Sequence, residues 1–94
     1  MVKTEETAER KIFEYLIEIR LRCREAIKKI NNEDYGGSRE EFLRAGTTYI
    51  GFVKTVVQAI SAEIPKEAIR AYRTQMENTL DATRDYLVER RVRI

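Results

Sequence analysis

The apolar residues of this chain recur at alternating steps of three and four positions in three separate segments. An average step of 3.5 residues keeps one side of an α-helix facing a partner helix, so each segment predicts a helix that packs along its length. The three stripes are Ile12, Leu16, Ile19, Cys23, Ala26 and Ile30; Phe42, Gly46, Tyr49, Val53, Val56 and Ile60; and Ile69, Tyr72, Met76, Thr79, Thr83 and Tyr86.

Turn-forming residues separate the stripes. The segment "NNEDYGG" is predicted to end the first helix, and Ser38 with Glu41 to form a capping box that starts the second. Pro65 suits the first position of the third helix, where its missing N–H costs nothing. These signals predict helices at about 6–31, 38–62 and 65–90. With short connections, they form one domain over residues 1–94, an all-α, up-down-up antiparallel three-helix bundle.

The composition limits the chemistry that the chain can carry. One cysteine and no histidine exclude an intramolecular disulfide and every metal site or catalytic triad that needs histidine. The N-terminus is polar, and no run of about 20 apolar residues could span a membrane. We therefore expect a cytoplasmic protein that is not an enzyme, has no cofactor or metal site, and buries Cys23 as a small apolar residue.

Two glycines, Gly46 and Gly51, fall inside the second predicted helix, where each costs about 1 kcal/mol relative to alanine. The interpretation that we favour is tight packing, with a bulky residue of another helix filling the space beside Gly46. Two alternatives are a groove where a ligand or partner helix approaches the backbone, and a kink assisted by Thr47 and Thr48.

Charged residues form several columns. Glu77, Asp81 and Asp85 step by four and are interpreted as a solvated face, with Arg73 paired to Glu77. A basic column on the first helix and three arginines near the C-terminus are the candidates for phosphate contacts. These candidates are Arg20, Arg24 and Lys28 on the helix, and Arg90, Arg91 and Arg93 near the end. The net charge of +2 does not by itself indicate a polyanionic partner.

The segments "CREAIKKINNEDYGGSREEFLRAG" and "KEAIRAYRTQMENTLDATRDYLVERR" together resemble the microtubule-interacting-and-trafficking (MIT) domain family, over about residues 20–90. That resemblance implies a three-helix module that grips a partner's helix or extended segment in a groove between helices. The first helix is longer than is usual in that family, and Gly46 and Gly51 are atypical of it. No binding residue is carried over.

The apolar stripes are wider than a single bundle needs, which suggests that some of this surface is covered by a companion. Our leading hypothesis is a non-enzymatic protein–protein interaction or assembly module that forms a homo-oligomer or binds a partner helix. The residues predicted to contact the partner are Ile17, Leu21, Gly46, Ile50 and Val57. The alternative is a small nucleic-acid-associated protein, which requires the basic residues to meet on one surface.

Overall fold

The computed structural model describes the backbone of residues 3–61 and 64–94, and the side chains of residues 8–59 and 64–94. Over these residues the chain forms three helices, α1 (Lys3–Asn31), α2 (Tyr35–Ser61) and α3 (Lys66–Glu89), which pack against one another. A hydrogen bond of 2.8 Å from the Tyr86 hydroxyl to the Asn31 side chain joins the C-terminal ends of α1 and α3. The two helices are therefore parallel, and the predicted all-α three-helix bundle is confirmed. None of the helices, as far as the structure describes them, has an apolar stretch that could cross a bilayer.

α1 carries the longest part of the core. Every member of its predicted stripe is buried, with at most 5% of its surface exposed: Ile12, Leu16, Ile19, Cys23, Ala26 and Ile30. At 1.5 Å per residue, this stripe extends for about 27 Å. The molecule measures 50 Å in its longest dimension and at most 18 Å across, so the core is a narrow column rather than a sphere.

α3 also confirms its predicted stripe. Ile69, Met76 and Thr83 are buried, and Leu87 extends the buried row by one turn. Tyr72, Thr79 and Tyr86 are half-buried beside them. α3 begins just after Pro65, whose ψ of 133° is not helical, so this proline occupies the capping position and not the predicted first helical position.

α2 is rotated by about one residue, or about 100°, from the predicted orientation. Its buried positions, taken over the described residues, are Ser38, Glu41, Ala45, Phe52, Thr55 and Ala59. Of the predicted stripe, Phe42, Tyr49 and Val56 are half-buried, Val53 is 46% exposed, and Ile60 lies outside the described side chains. The prediction was wrong because the buried side of α2 combines Phe52 with small side chains and with polar side chains that are hydrogen-bonded, such as Ser38 and Glu41.

The predicted capping box was also wrong, because α2 starts three residues earlier than expected. Asp34 precedes the first residue of α2, and its carboxylate accepts a hydrogen bond of 2.9 Å from the Gly37 N–H. Ser38 is buried, and its hydroxyl donates to the Ala26 carbonyl of α1 at 2.8 Å. An aspartate at the N-cap satisfies an N–H that the helix itself leaves unpaired. Asp34 is therefore the cap, and Ser38 is a contact between α1 and α2.

Non-glycine residues in the left-handed region end two of the helices. Glu33, after α1, has a φ of 64°, and Arg91, after α3, has a φ of 68°. In the second case the Val92 N–H bonds to the Leu87 carbonyl at 3.0 Å, and the Arg91 N–H to the Val88 carbonyl at 2.9 Å. This Schellman arrangement turns Val92 back into the core, where it is 5% exposed. The C-terminal segment is thus packed against the end of the bundle.

Candidate interaction surfaces

Four of the large apolar side chains that are exposed in the described part of the chain form a row along one side of α2. Ile50 is 57% exposed, Val57 68%, Val53 46% and Leu43 43%, with the half-exposed Gly46 between them. The steps along this row are three, four, three and four, which is the spacing of one face of a packing helix. We call Leu43, Gly46, Ile50, Val53 and Val57 the α2 face.

The α2 face is turned away from α1. The α1-facing side of α2 is identified by Glu41, which contacts two cations of α1, and by Gly51, which lies against the Tyr15 ring. The α2 face lies on the other side, bordering α3. The structure thus places three of the predicted contact residues, Gly46, Ile50 and Val57, on one surface and adds Leu43 and Val53 to it.

The other two predicted contact residues lie elsewhere. Ile17 and Leu21 are 37% and 50% exposed, but they lie on the outer face of α1. Helical spacing places them nearly opposite the buried stripe of α1, with the flanks that face α2 and α3 on either side. The five predicted residues therefore form two separate surfaces and not one.

The two glycines inside α2 have different surroundings. A Cβ atom at Gly46 would meet no heavy atom within 4 Å, whereas one at Gly51 would lie 3.2 Å from the Cε1 atom of Tyr15. The favoured interpretation, tight packing at Gly46, was wrong within this chain, and the close approach occurs at Gly51. Thr47 and Thr48 donate hydrogen bonds to the carbonyls four residues earlier, at 3.1 and 3.0 Å.

A tyrosine–carboxylate contact connects α2 to α3 beside the α2 face. The Tyr49 hydroxyl donates to the Glu77 carboxylate at 2.6 Å, and the Arg73 guanidinium donates to the same oxygen at 3.1 Å. These donors, Tyr49 first, lower the pKa of Glu77. Burial and the negative charge of Glu77 raise the pKa of Tyr49, so its hydroxyl stays protonated. The predicted Arg73–Glu77 pair is confirmed. The bond from Tyr49 to Glu77 joins α2 to α3.

A second polar cluster connects α1 to α2. Glu41 is 7% exposed and accepts hydrogen bonds from Lys29 at 3.0 Å and from Arg22 at 3.1 Å. Arg22 also holds Glu18 of its own helix, at 2.7 Å, as its i, i+4 spacing predicts. Lys29, and then Arg22, lower the pKa of Glu41 against the opposing effect of burial. The cluster therefore holds one carboxylate ionised between the two helices.

Sequence reasoning missed this role of Glu41. A single acidic residue three positions after a serine is typical of a helix start, and it was interpreted that way. The missed signal is the spacing of seven between Arg22 and Lys29, which places two cations on the same side of α1. The sequence does not distinguish Gly51, which lies against Tyr15, from Gly46, which does not, because both are simply glycines inside a helix.

The basic column of α1 begins at its border with α3 and turns towards the outer face of α1, since Arg24 and Lys28 lie seven residues after Ile17 and Leu21. Arg20 donates to the side chain of Gln75 at 2.8 Å, and Arg24 and Lys28 follow at one and two further turns. Arg24 and Lys28 are exposed. Among the described residues, none of these three cations has a carboxylate within 4.0 Å, although the other charged side of α1 is rich in ion pairs.

The terminal arginines lie at the same end of the bundle. The Arg90 guanidinium stacks 3.4 Å from the centre of the Tyr86 ring and donates to the Tyr86 carbonyl at 3.1 Å. Because Tyr86 contacts Asn31, this places Arg90 near the end of the basic column. Arg91 and Arg93 follow, and the Arg93 carbonyl accepts a hydrogen bond of 2.9 Å from Arg39. The structure thus places Arg90 near the end of the basic column, whereas the Arg93 backbone lies against Arg39 of α2.

No arrangement of reactive groups stands out over the described residues. Cys23 is buried at 2% exposure, as predicted, and burial raises the pKa of its thiol. The part of the chain that the structure describes contains no group of three or more cysteine or carboxylate side chains that could hold a metal ion.

No protein-family model matches the sequence, and no curated protein or solved structure is significantly similar to it.

Proposed function

We propose that the protein is a non-enzymatic interaction and assembly module that self-associates through the α2 face. The observation that supports this proposal is the row of large apolar side chains that the bundle leaves outside, at the spacing of a packing helix. Isolated exposed apolar residues are ordinary on protein surfaces, whereas a continuous row of them is typical of an interaction site.

The occupant that fits this face is the α2 helix of a second copy. In an antiparallel pairing, the register that sets Leu43 against Val53 also sets Ile50 of one copy against Gly46 of the other. The space beside Gly46 is open to 4 Å, so it can receive that side chain. Two copies related by a two-fold axis make this contact twice, and the surface is complementary to itself.

The apolar area supports a weak dimer rather than an obligate one. Full burial of a Val, Leu or Ile side chain contributes about 1.5–3 kcal/mol. About half of that is available at each large member of the α2 face, because their exposures lie between 43% and 68%. The gross gain for two copies is on the order of 10 kcal/mol, and association itself costs an estimated 4–15 kcal/mol. We therefore expect dissociation constants in the micromolar range or weaker.

The test compares two charge insertions at positions of similar exposure. Ile50→Glu places a carboxylate in the centre of the α2 face, and Leu21→Glu places one on the outer face of α1. Ile50 is 57% exposed and Leu21 50%, so both variants should fold alike. Light scattering over a concentration series should show a dimer for the unaltered protein and for Leu21→Glu, and a monomer for Ile50→Glu. Equal behaviour of the two variants, or a monomer in all cases, would reject this function.

A further inference from the structure

We infer that the border between α1 and α3 is a binding surface for single-stranded nucleic acid, separate from the α2 face. We call this surface the α1–α3 seam. Its members are the cations Arg20 and Arg90 and the three aromatic residues Phe13, Tyr72 and Tyr86. Arg24 and Lys28 continue the basic column from Arg20 along the edge of the seam, where α1 turns its outer face to solvent.

The charged residues of α1 that form ion pairs and those that do not lie on different sides of the helix. Its ion-paired residues lie towards α2: Glu18 binds Arg22, and Arg22 and Lys29 bind Glu41 of α2. Glu25 lies seven residues after Glu18 and shares that side. On the side towards α3, which Phe13 and Arg20 mark, no carboxylate of α1 occurs between Phe13 and Asn31, whereas Glu14 shares the outer side with Leu21 and Lys28. A net charge of only +2 thus conceals a locally basic strip.

The wall that α3 contributes is neutral. The α3 residues that contact α1 or line the groove along the seam are Ala68, Ala71, Tyr72, Gln75 and Tyr86. Thr79 lies midway between Tyr72 and Tyr86, seven residues from each, and so shares their side of α3. One carboxylate lies at each end of the strip. Glu9 borders the groove at Phe13, and Glu89 lies 3.8 Å from Arg90. Between these ends, the cations of α1 have no carboxylate within 4.0 Å among the described residues, so they remain available to an anionic ligand.

Aromatic rings accompany the cations along the seam. Phe13 is 46% exposed and meets the Tyr72 ring edge to face, with 6.3 Å between ring centres. Tyr86 lies at the other end, beneath the Arg90 guanidinium. A basic groove with aromatic platforms is the arrangement by which proteins bind single strands, since phosphates contact the cations and bases stack on the rings. From Phe13 to Asn31 the seam extends for about 27 Å, which accommodates a short strand.

The experiment measures binding of a labelled oligothymidylate of about 12 nucleotides by fluorescence anisotropy at several salt concentrations. Four phosphate contacts predict a slope of about −2.8 for log affinity against log salt, so affinity should fall about 50-fold between 50 and 200 mM salt. Arg24→Gln with Lys28→Gln should halve the slope. The control, Lys54→Gln with Arg70→Gln, removes the same charge from exposed positions outside the seam and should retain the slope. Arg70 borders the α2–α3 groove, and Lys54 lies three residues after Gly51, on the side of α2 that faces α1.

A third variant separates nucleic acid from polyanions in general. Phe13→Leu should weaken oligothymidylate binding about fivefold through lost stacking, and should leave heparin binding unchanged. Any of four results would overturn the inference. Phe13→Leu could weaken heparin binding equally, or the protein could bind a duplex more tightly than the single strand. The two pairs of charge substitutions could have equal effects, or the oligothymidylate could fail to bind at 50 mM salt. Circular dichroism melts of each variant report whether the bundle is intact. Because the seam lies apart from the α2 face, Ile50→Glu should bind the strand normally, and self-association can fail without affecting this result.

Discussion

At the scale of single residues, surroundings decide what an unusual amino acid does. Gly46 and Gly51 have the same backbone freedom and lie in the same helix, but only Gly51 contacts another helix. The sequence indicates that both positions are unusual for a helix, because glycine lowers helix propensity. It does not indicate which of them is crowded, since that depends on the rotation of α2 against α1.

Replacement of Gly46 by alanine should stabilise the isolated bundle. The new Cβ meets no heavy atom within 4 Å, so the gain in helix propensity, about 0.5–1 kcal/mol, is retained. Thermal melts at low protein concentration should show a midpoint about 2–8 °C higher. Gly51→Ala is the matched control, and its gain should be smaller because the Tyr15 ring has to shift. A lower midpoint for Gly46→Ala would contradict this account.

Glu41 should make the stability of the bundle depend on acid pH. Its pKa in the folded chain is lowered from an unfolded value of about 4.3, so its contribution is present above that pH and is lost as pH falls through the folded pKa. Glu41→Gln should therefore lower the free energy of unfolding at pH 7 by on the order of 1 kcal/mol, since both cations are partly exposed. The difference from the unaltered protein should shrink in acid.

Denaturant unfolding at a series of pH values measures this dependence. Glu40→Gln is the control, because Glu40 is the neighbouring carboxylate, its side chain is 63% exposed, and it pairs only with Arg44 of its own helix. A pH-independent effect of Glu41→Gln, or an effect no larger than that of the control, would show that the ion pairs between α1 and α2 do not hold these helices together.

At the scale of helices, the sequence predicted α1 and α3 well and predicted α2 with the wrong orientation. The first and third stripes consist mainly of apolar residues that the core accepts directly. α2 instead buries Ser38, Glu41 and Thr55, whose hydrogen bonds compensate for lost hydration. Apolar periodicity cannot detect such positions, because it counts a satisfied polar residue as a surface one. The same rotation exposes Val53, which the sequence had placed in the core.

The start of α2 offers a test at this scale. Asp34→Ala removes the acceptor of the Gly37 N–H and should destabilise the protein by about 1 kcal/mol. Asp85→Ala is the control, since Asp85 is exposed within α3 and caps no helix. Chemical denaturation of both variants should show a lower midpoint with an unchanged slope for Asp34→Ala alone. Equal midpoints for the two variants would mean that Asp34 is not the cap.

At the scale of the whole molecule, apolar and charged surfaces are separated. The α2 face carries large aliphatic side chains, whereas the α1–α3 seam carries Arg20, which has no carboxylate within 4.0 Å among the described residues, and Arg90, which lies 3.8 Å from Glu89. The sequence predicted most members of both groups, because spacing determines which residues share a side of a helix. It could not separate Ile17 and Leu21 from the α2 face, nor join Arg90 to the column of α1, since both depend on how three helices are arranged around one axis.

Self-association through α2 is the central claim, and sedimentation equilibrium of the unaltered protein tests it most directly. The chain has a mass of 11.1 kDa. With rising concentration through the micromolar range, the weight-average mass should increase towards twice that value and level off there, because a two-fold axis closes the assembly. A mass that stays at that of one chain at every concentration would contradict the claim, as would one that continues to grow beyond the dimer.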